Sequence, residues 1–103
     1  MKIRYSRRAL SQLASVQEYL KKCNPSAAEN VTASIRSTIV RLGEMALLGK
    51  ATDEAGVQVI IEPEYLYRVF YSIRDQEVFV IRILHGRQSE LDFEHLAHSV
   101  ESG

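Results

Sequence analysis

The hydrophobic period of this chain changes once, near residue 50, and that change restricts the fold more than any single motif. Before it, apolar residues recur at helical spacing; after it, they alternate every second residue. "MKIRYS" reads as a short opening strand, Lys2 to Tyr5, with Ser6 placed to cap the helix that follows by accepting from an unpaired backbone N–H. Leu10, Leu13, Val16 (or Gln17) and Leu20 then mark one helical stripe, widened by Ala9 and Ala14. "CNPS" ends it. Asn24 suits the cap of a second helix and Pro25 its first turn, where a missing N–H costs nothing. Val31, Ile35, Ile39 and Leu42 give that helix one apolar face, and Gly49 is its expected left-handed terminus. The short link predicts an antiparallel helical hairpin.

Beyond the loop "GKATDEAG" three strands are expected: "VQVIIE" (Val57 to Glu62), "YLYRVFYSI" after the break at "PE", and "VFVIRILH" after the turn "RDQE". The predicted class is α+β, in the order β-α-α-β-β-β, with a small antiparallel sheet. A three-strand meander takes the first strand on one edge and the helical hairpin on one face, and its other face can stay open. Phe93, Leu96, Ala97 and Val100 fall at helical spacing, so residues 89–103 form a candidate amphipathic or flexible tail.

A chain of 103 residues makes one domain, and 46% hydrophobic with 25% charged residues places it among globular chains rather than disordered ones. Lys+Arg and Asp+Glu number 13 each, a balance that argues against a phosphate-tracking surface, because such surfaces gain affinity from surplus cations. The charge is unevenly spread: Lys2, Arg4, Arg7 and Arg8 crowd the start, whereas Glu90, Asp92, Glu94 and Glu101 weight the tail. The single cysteine, Cys23, cannot form an internal disulfide, and no apolar run approaches the roughly 20 residues that span a bilayer. A cytoplasmic protein without membrane attachment is expected.

Two arginines, Arg68 and Arg82, interrupt apolar strands. A buried guanidinium must reach water, a carboxylate or an anion, since it cannot deprotonate. By alternation, Phe79, Ile81, Ile83 and His85 should share a face, with Tyr67, Val69 and Tyr71 beside them against the helices. Arg68 and Arg82 then stand on the open face, either snorkelling or paired with Glu62 or Glu77. Gly86 ends the last strand. An unperturbed imidazole titrates near neutrality, so His85 could serve as a general base, yet no nucleophile is placed beside it by spacing, and a structural histidine at the strand end fits as well. His95 and His98 lack a third ligand, and neither metal nor cofactor is expected.

Strand, helical hairpin, "YRVFY" (Tyr67 to Tyr71) and "RILHGR" (Arg82 to Arg87), in this order and length, resemble the RelE/ParE superfamily of toxins from toxin–antitoxin modules, with "RILHGR" closest to the ParE branch. The resemblance implies a type II toxin held by a cognate ParD-like antitoxin as a hetero-oligomer. The ParE branch poisons DNA gyrase with its DNA cleaved and is not hydrolytic; the RelE branch cuts messenger RNA on the ribosome. Of the groups the RelE branch uses, Arg68 carries over most plainly; beyond Gly86 the nearest matches are Arg87 and the uncharged Gln88, Phe93 lacks a phenol, and "VQVIIE" holds no lysine. Gyrase poisoning is therefore the expected function, with the RelE-type ribonuclease as the alternative and a scaffold that has lost toxicity as a third reading. No sequence-specific nucleic-acid binding is implied. Candidate target-binding residues are Arg68, Arg82, His85, Arg87 and Phe93. Candidate antitoxin-binding residues on the hairpin are Leu10, Leu13, Ala14, Tyr19 and Ile39.

Overall fold

The computed structural model describes residues 1–85. Strand β1 (Lys2–Tyr5) leads into helices α1 (Arg7–Cys23) and α2 (Pro25–Glu44). A 3-10 turn (Ala46–Leu48) then precedes β2 (Lys50–Ala51), β3 (Gln58–Ile61), β4 (Arg68–Arg74) and β5 (Glu77–Leu84). The five strands lie in the order β1-β5-β4-β3-β2; β1 runs parallel to β5, and every other pairing is antiparallel. The class, the meander and the edge position of the first strand are as the sequence indicates; the sheet is mixed rather than wholly antiparallel, because β1 runs parallel to β5.

Local chemistry sets the helix boundaries. Ser6 Oγ accepts from Ala9 N at 2.9 Å, closing the first turn of α1. Asn24 serves both helices: its N–H donates to Leu20 O at 2.6 Å, and its Oδ1 accepts from Ala27 N at 3.2 Å. One residue thus ends α1 and starts α2. The helices bury Ala9 and Leu13 from α1 and Val31, Ile35, Ile39 and Leu42 from α2 against Tyr67, Val69, Tyr71, Val78, Val80 and Ile83 of the sheet. Cys23 is exposed at the end of α1. Among the described residues no helix is long and apolar enough to cross a membrane.

The sheet departs from simple alternation at one place. Phe70 pairs with Arg82 but Tyr71 pairs with Val80, so β5 carries one extra residue, Ile81. Before this bulge Val78 and Val80 point to the helices; after it Ile83 does. Phe79 and Ile81 consequently leave the helix-facing side to which strict alternation assigns them, and Ile81 packs with Val57, Val59, Phe70 and Leu84 on the opposite face. Arg82 and Leu84 stay on that second face as expected.

Three further points differ from the sequence reading. A short edge strand, β2, forms within the stretch taken as loop. Strand β4 begins at Arg68 rather than Tyr65, because Leu66 adopts φ 63 and turns the chain. Gly49 is not a left-handed helix end: α2 stops at Glu44, and Gly49 has φ −76. Its lack of a side chain matters for space. Gly49 N donates to Tyr71 Oη at 2.9 Å, Tyr71 Oη donates to Ala46 O at 2.7 Å, and a Cβ on Gly49 would lie 2.7 Å from Tyr71 Cε1 and 2.8 Å from Val59 O. The tail proposed at 89–103 lies outside the described residues. Gly49→Ala should destabilise the domain by about 1–3 kcal/mol through overpacking, read as a lower denaturant midpoint with an unchanged m-value.

Candidate functional site

Two surfaces emerge. The first is the sheet face that no described helix covers. Residues directly paired across strands share a face, so Arg68 lies beside Ile61 and Leu84, and Phe70 beside Val59 and Arg82. The Arg82 guanidinium stacks 4.1 Å from the Phe70 ring centroid, and its Nη1 stands 3.8 Å from Glu54 Oε2. Its carboxylate neighbour is therefore Glu54 from the β2–β3 loop, rather than Glu62 or Glu77. Glu77 instead meets Arg4, at 3.6 Å.

The second surface is an open cleft of about 640 Å³ on the helix side. It is walled by Tyr19 and Leu20 of α1, Val31 of α2, the Glu64–Tyr67 loop and His85. Here the His85 ring packs edge-on against Tyr67, with centroids 4.9 Å apart and planes at 83°. His85 is thus on the other side of the sheet from Arg68 and Arg82. Arg87 and Phe93 lie outside the described residues.

The hairpin candidates divide. Ile39 is fully buried and Leu13 nearly so, at 0% and 7% exposure, so neither has surface to offer a partner; they belong to the core. Leu10 (52%) and Tyr19 (68%) are exposed, as is Ala14. At about 100° per residue, Leu10 and Tyr19 flank the buried stripe of α1 on opposite sides, so they do not form one patch. Tyr19 joins the cleft, where Leu66 (57%) adds a second exposed apolar rim.

Sequence reasoning considered Glu62 only as a partner for an arginine. It is fully buried and organises the cleft wall. Its carboxylate accepts from Ser34 Oγ at 2.7 Å, Glu64 N at 2.6 Å and Tyr65 N at 3.0 Å, with a longer bond from Tyr67 N at 3.4 Å. Backbone bonds Glu62 N to Tyr67 O and Leu66 N to Glu62 O close the same loop. Burial alone would push this carboxyl up; the bonds from Ser34 and from the Tyr65, Glu64 and Tyr67 amides outweigh it and hold the carboxyl below its ordinary value. The Tyr67 phenol is pushed up, first by burial and then by the Glu62 charge. "EPEY" gives a turn in sequence, but nothing in it says that the glutamate faces inward.

Comparisons with known proteins bear on this architecture. A family model described as ParE toxin of type II toxin-antitoxin system, parDE, matches residues 3–90. Toxin RelE2 of Caulobacter vibrioides is 25% identical over 79 residues, covering 77% of this chain and 88% of its own. The chromosomal ParDE system from P. aeruginosa superposes with a TM-score of 0.75 at 17% identity, over 82% of this chain and 95% of that one. The isolated E. coli RelE toxin gives 0.58 at 20% identity, over 94% and 96%. The intact E. coli RelBE toxin-antitoxin complex gives 0.57 at 19%, over 82% and 94%. At these identities the structural matches establish the fold.

Glu62→Gln should lower stability by about 1–3 kcal/mol at neutral pH, since an amide N–H₂ replaces an acceptor aimed at backbone donors. The folded-state pKa is depressed, so this contribution is present above the unfolded-state value and lost as pH falls through the folded-state value. Denaturant melts across an acid series should show the gap between wild type and variant closing at the acid end.

Proposed function

The chain belongs to the ParE toxin family of type II toxin–antitoxin systems, and on that premise we propose that it acts by binding DNA gyrase and stalling it with its DNA cleaved, under the control of a ParD-like antitoxin. The observation that supports binding over RNA cleavage is the separation of His85 from the arginines. Cutting a phosphodiester by 2′-hydroxyl attack needs a proton-transfer group beside the cations that hold the developing charge. Alternation and the bulge place Arg68 and Arg82 on one face and His85 on the other, against Tyr67. Tyr5, Tyr67 and Tyr71 likewise belong to the helix-side core, so the described part of the arginine face carries no imidazole or phenol.

Purified toxin should inhibit gyrase supercoiling and accumulate linear DNA; unchanged supercoiling with no linear DNA at a large molar excess of toxin would count against the reading. The match to toxin RelE2 keeps messenger RNA cleavage on the ribosome as a second reading. Primer extension on translated messages separates the two: new 5′ ends that vanish in Arg68→Ala would favour cleavage. Deletion of residues 89–103 is expected to abolish growth arrest while leaving antitoxin binding intact.

An antitoxin partner is supported by the toxin–antitoxin complexes among the structural neighbours. On this chain the cleft beside Tyr19 and Leu66 suits the apolar face of an amphipathic helix. Tyr19→Ala should weaken antitoxin binding by about 10- to 30-fold, as truncation of an aromatic anchor commonly does. Calorimetry with the cognate antitoxin would measure it, and the thermal melt of the toxin alone should be little changed because Tyr19 is mostly exposed.

A further inference from the structure

The formal charge of the chain is zero, but the strands do not share it evenly. The pairing register puts Lys2 and Arg4 of β1, Lys50 of β2, and Arg68 and Arg74 of β4 on the sheet face that no described helix covers, together with Arg82. Among the described residues the only acid at a strand position of this face is Glu77, which Arg4 engages; Glu54 reaches Arg82 from a loop. Lys2, Arg4, Lys50 and Arg74 are exposed. From β1 to β2 is four strand spacings, about 19 Å, so these cations bracket a width comparable to that of a nucleic-acid duplex.

We propose that this face holds the sugar–phosphate backbone of duplex DNA without reading its sequence. This goes beyond the gyrase reading, which assigns the toxin itself no DNA contact. Duplex is favoured over single strands because the described residues of this face offer no free stacking platform: Phe70 is fully buried beneath Arg82, and Phe79 already carries the Arg74 guanidinium 4.7 Å from its centroid. Charge without aromatic surface suits phosphates rather than bases. It is favoured over an acidic peptide because the cations are dispersed over separate strands rather than gathered around one groove, matching rows of phosphates on a broad duplex.

The test is fluorescence anisotropy of a 20-base-pair duplex with the full-length chain, without gyrase, so its result is independent of any supercoiling assay. Micromolar binding at 50 mM salt is expected, weakening roughly 100-fold by 200 mM, as for about four phosphate contacts. The variant Lys2→Gln, Arg4→Gln, Lys50→Gln, Arg74→Gln changes only exposed side chains and should abolish most of the salt dependence. Lys21→Gln with Lys22→Gln, at the end of α1, should change nothing. If a thermal melt shows the quadruple variant unfolded, Arg4→Gln and Arg74→Gln singly should each reduce the salt slope by about 0.9. The proposal is overturned by no duplex binding at 50 mM salt, or by variants of this face that bind like wild type. Equal loss in the Lys21/Lys22 variant would overturn it too, as would tighter binding of a 20-nucleotide single-stranded RNA or displacement by polyglutamate of equal charge.

Discussion

Three hydrogen bonds between the start of α1 and the last strand set the layout of the molecule. Ser6 N donates to Val80 O at 2.9 Å, Ser6 Oγ donates to Ile81 O at 2.6 Å, and Ile83 N donates to Gln12 Oε1 at 2.6 Å. Together they pair backbone groups of β5 near and beyond the end of β1 at Tyr5, which would otherwise cost about 1–3 kcal/mol each if left buried and unpaired. The bulge in turn reverses the alternation of β5. Val78 and Val80 fill the core before it, Ile83 after it, and Ile81 and Arg82 fall in succession on the other side. The bulge thus decides which residues of the first half of β5 reach the core, whereas Arg82 and His85, both beyond it, keep the opposite sides that alternation gives them.

Much of the fold was legible because its signals are local. Ser6 and Asn24 announce helix starts by their chemistry, and Val31, Ile35, Ile39 and Leu42 announce a buried face by their spacing; all do in the structure what the spacing requires. "RDQE" turns the chain with Asp75 and Gln76 both left-handed, a two-residue connection suited to the twist of paired strands. What alternation could not show is the register shift within β5, because a bulge leaves no mark in a run of apolar residues. Phe79 and Ile81 were assigned to the wrong side for that reason. Glu62 and Gly49 were misjudged for another. Their roles depend on neighbours distant in sequence, Ser34 for the first and Tyr71 for the second. Ile39 looked available to a partner only because a helical pattern cannot distinguish the centre of a buried stripe from its margin.

Thirteen cations and thirteen anions are a balance of the whole chain; among the described strands the register gathers cations on one face. The helices carry Glu18, Glu29 and Glu44 alongside six lysines and arginines, and Glu62 is buried, while the face that no described helix covers collects lysines and arginines with Glu77. Among the described residues this face carries lysines and arginines but no imidazole or phenol. The cleft on the opposite side is different in kind: Glu62 braces its wall, and Tyr19 and Leu66 give it an apolar rim. One domain thus presents two chemically distinct surfaces, one suited to charge and one to an apolar helix, and a single sheet keeps them apart.

The most direct measurement is a set of proton–proton proximities across β5 by nuclear magnetic resonance in the full-length protein. Methyls of Val78 and Val80 should lie close to Ile35 and Ile39, side-chain protons of Arg82 close to the Phe70 ring, and the His85 ring close to Tyr67. Proximity of Phe79 or Ile81 to the α2 core, or of His85 to the Arg68 and Arg82 side chains, would contradict the separation of the two surfaces and return a proton-transfer group to the arginine face.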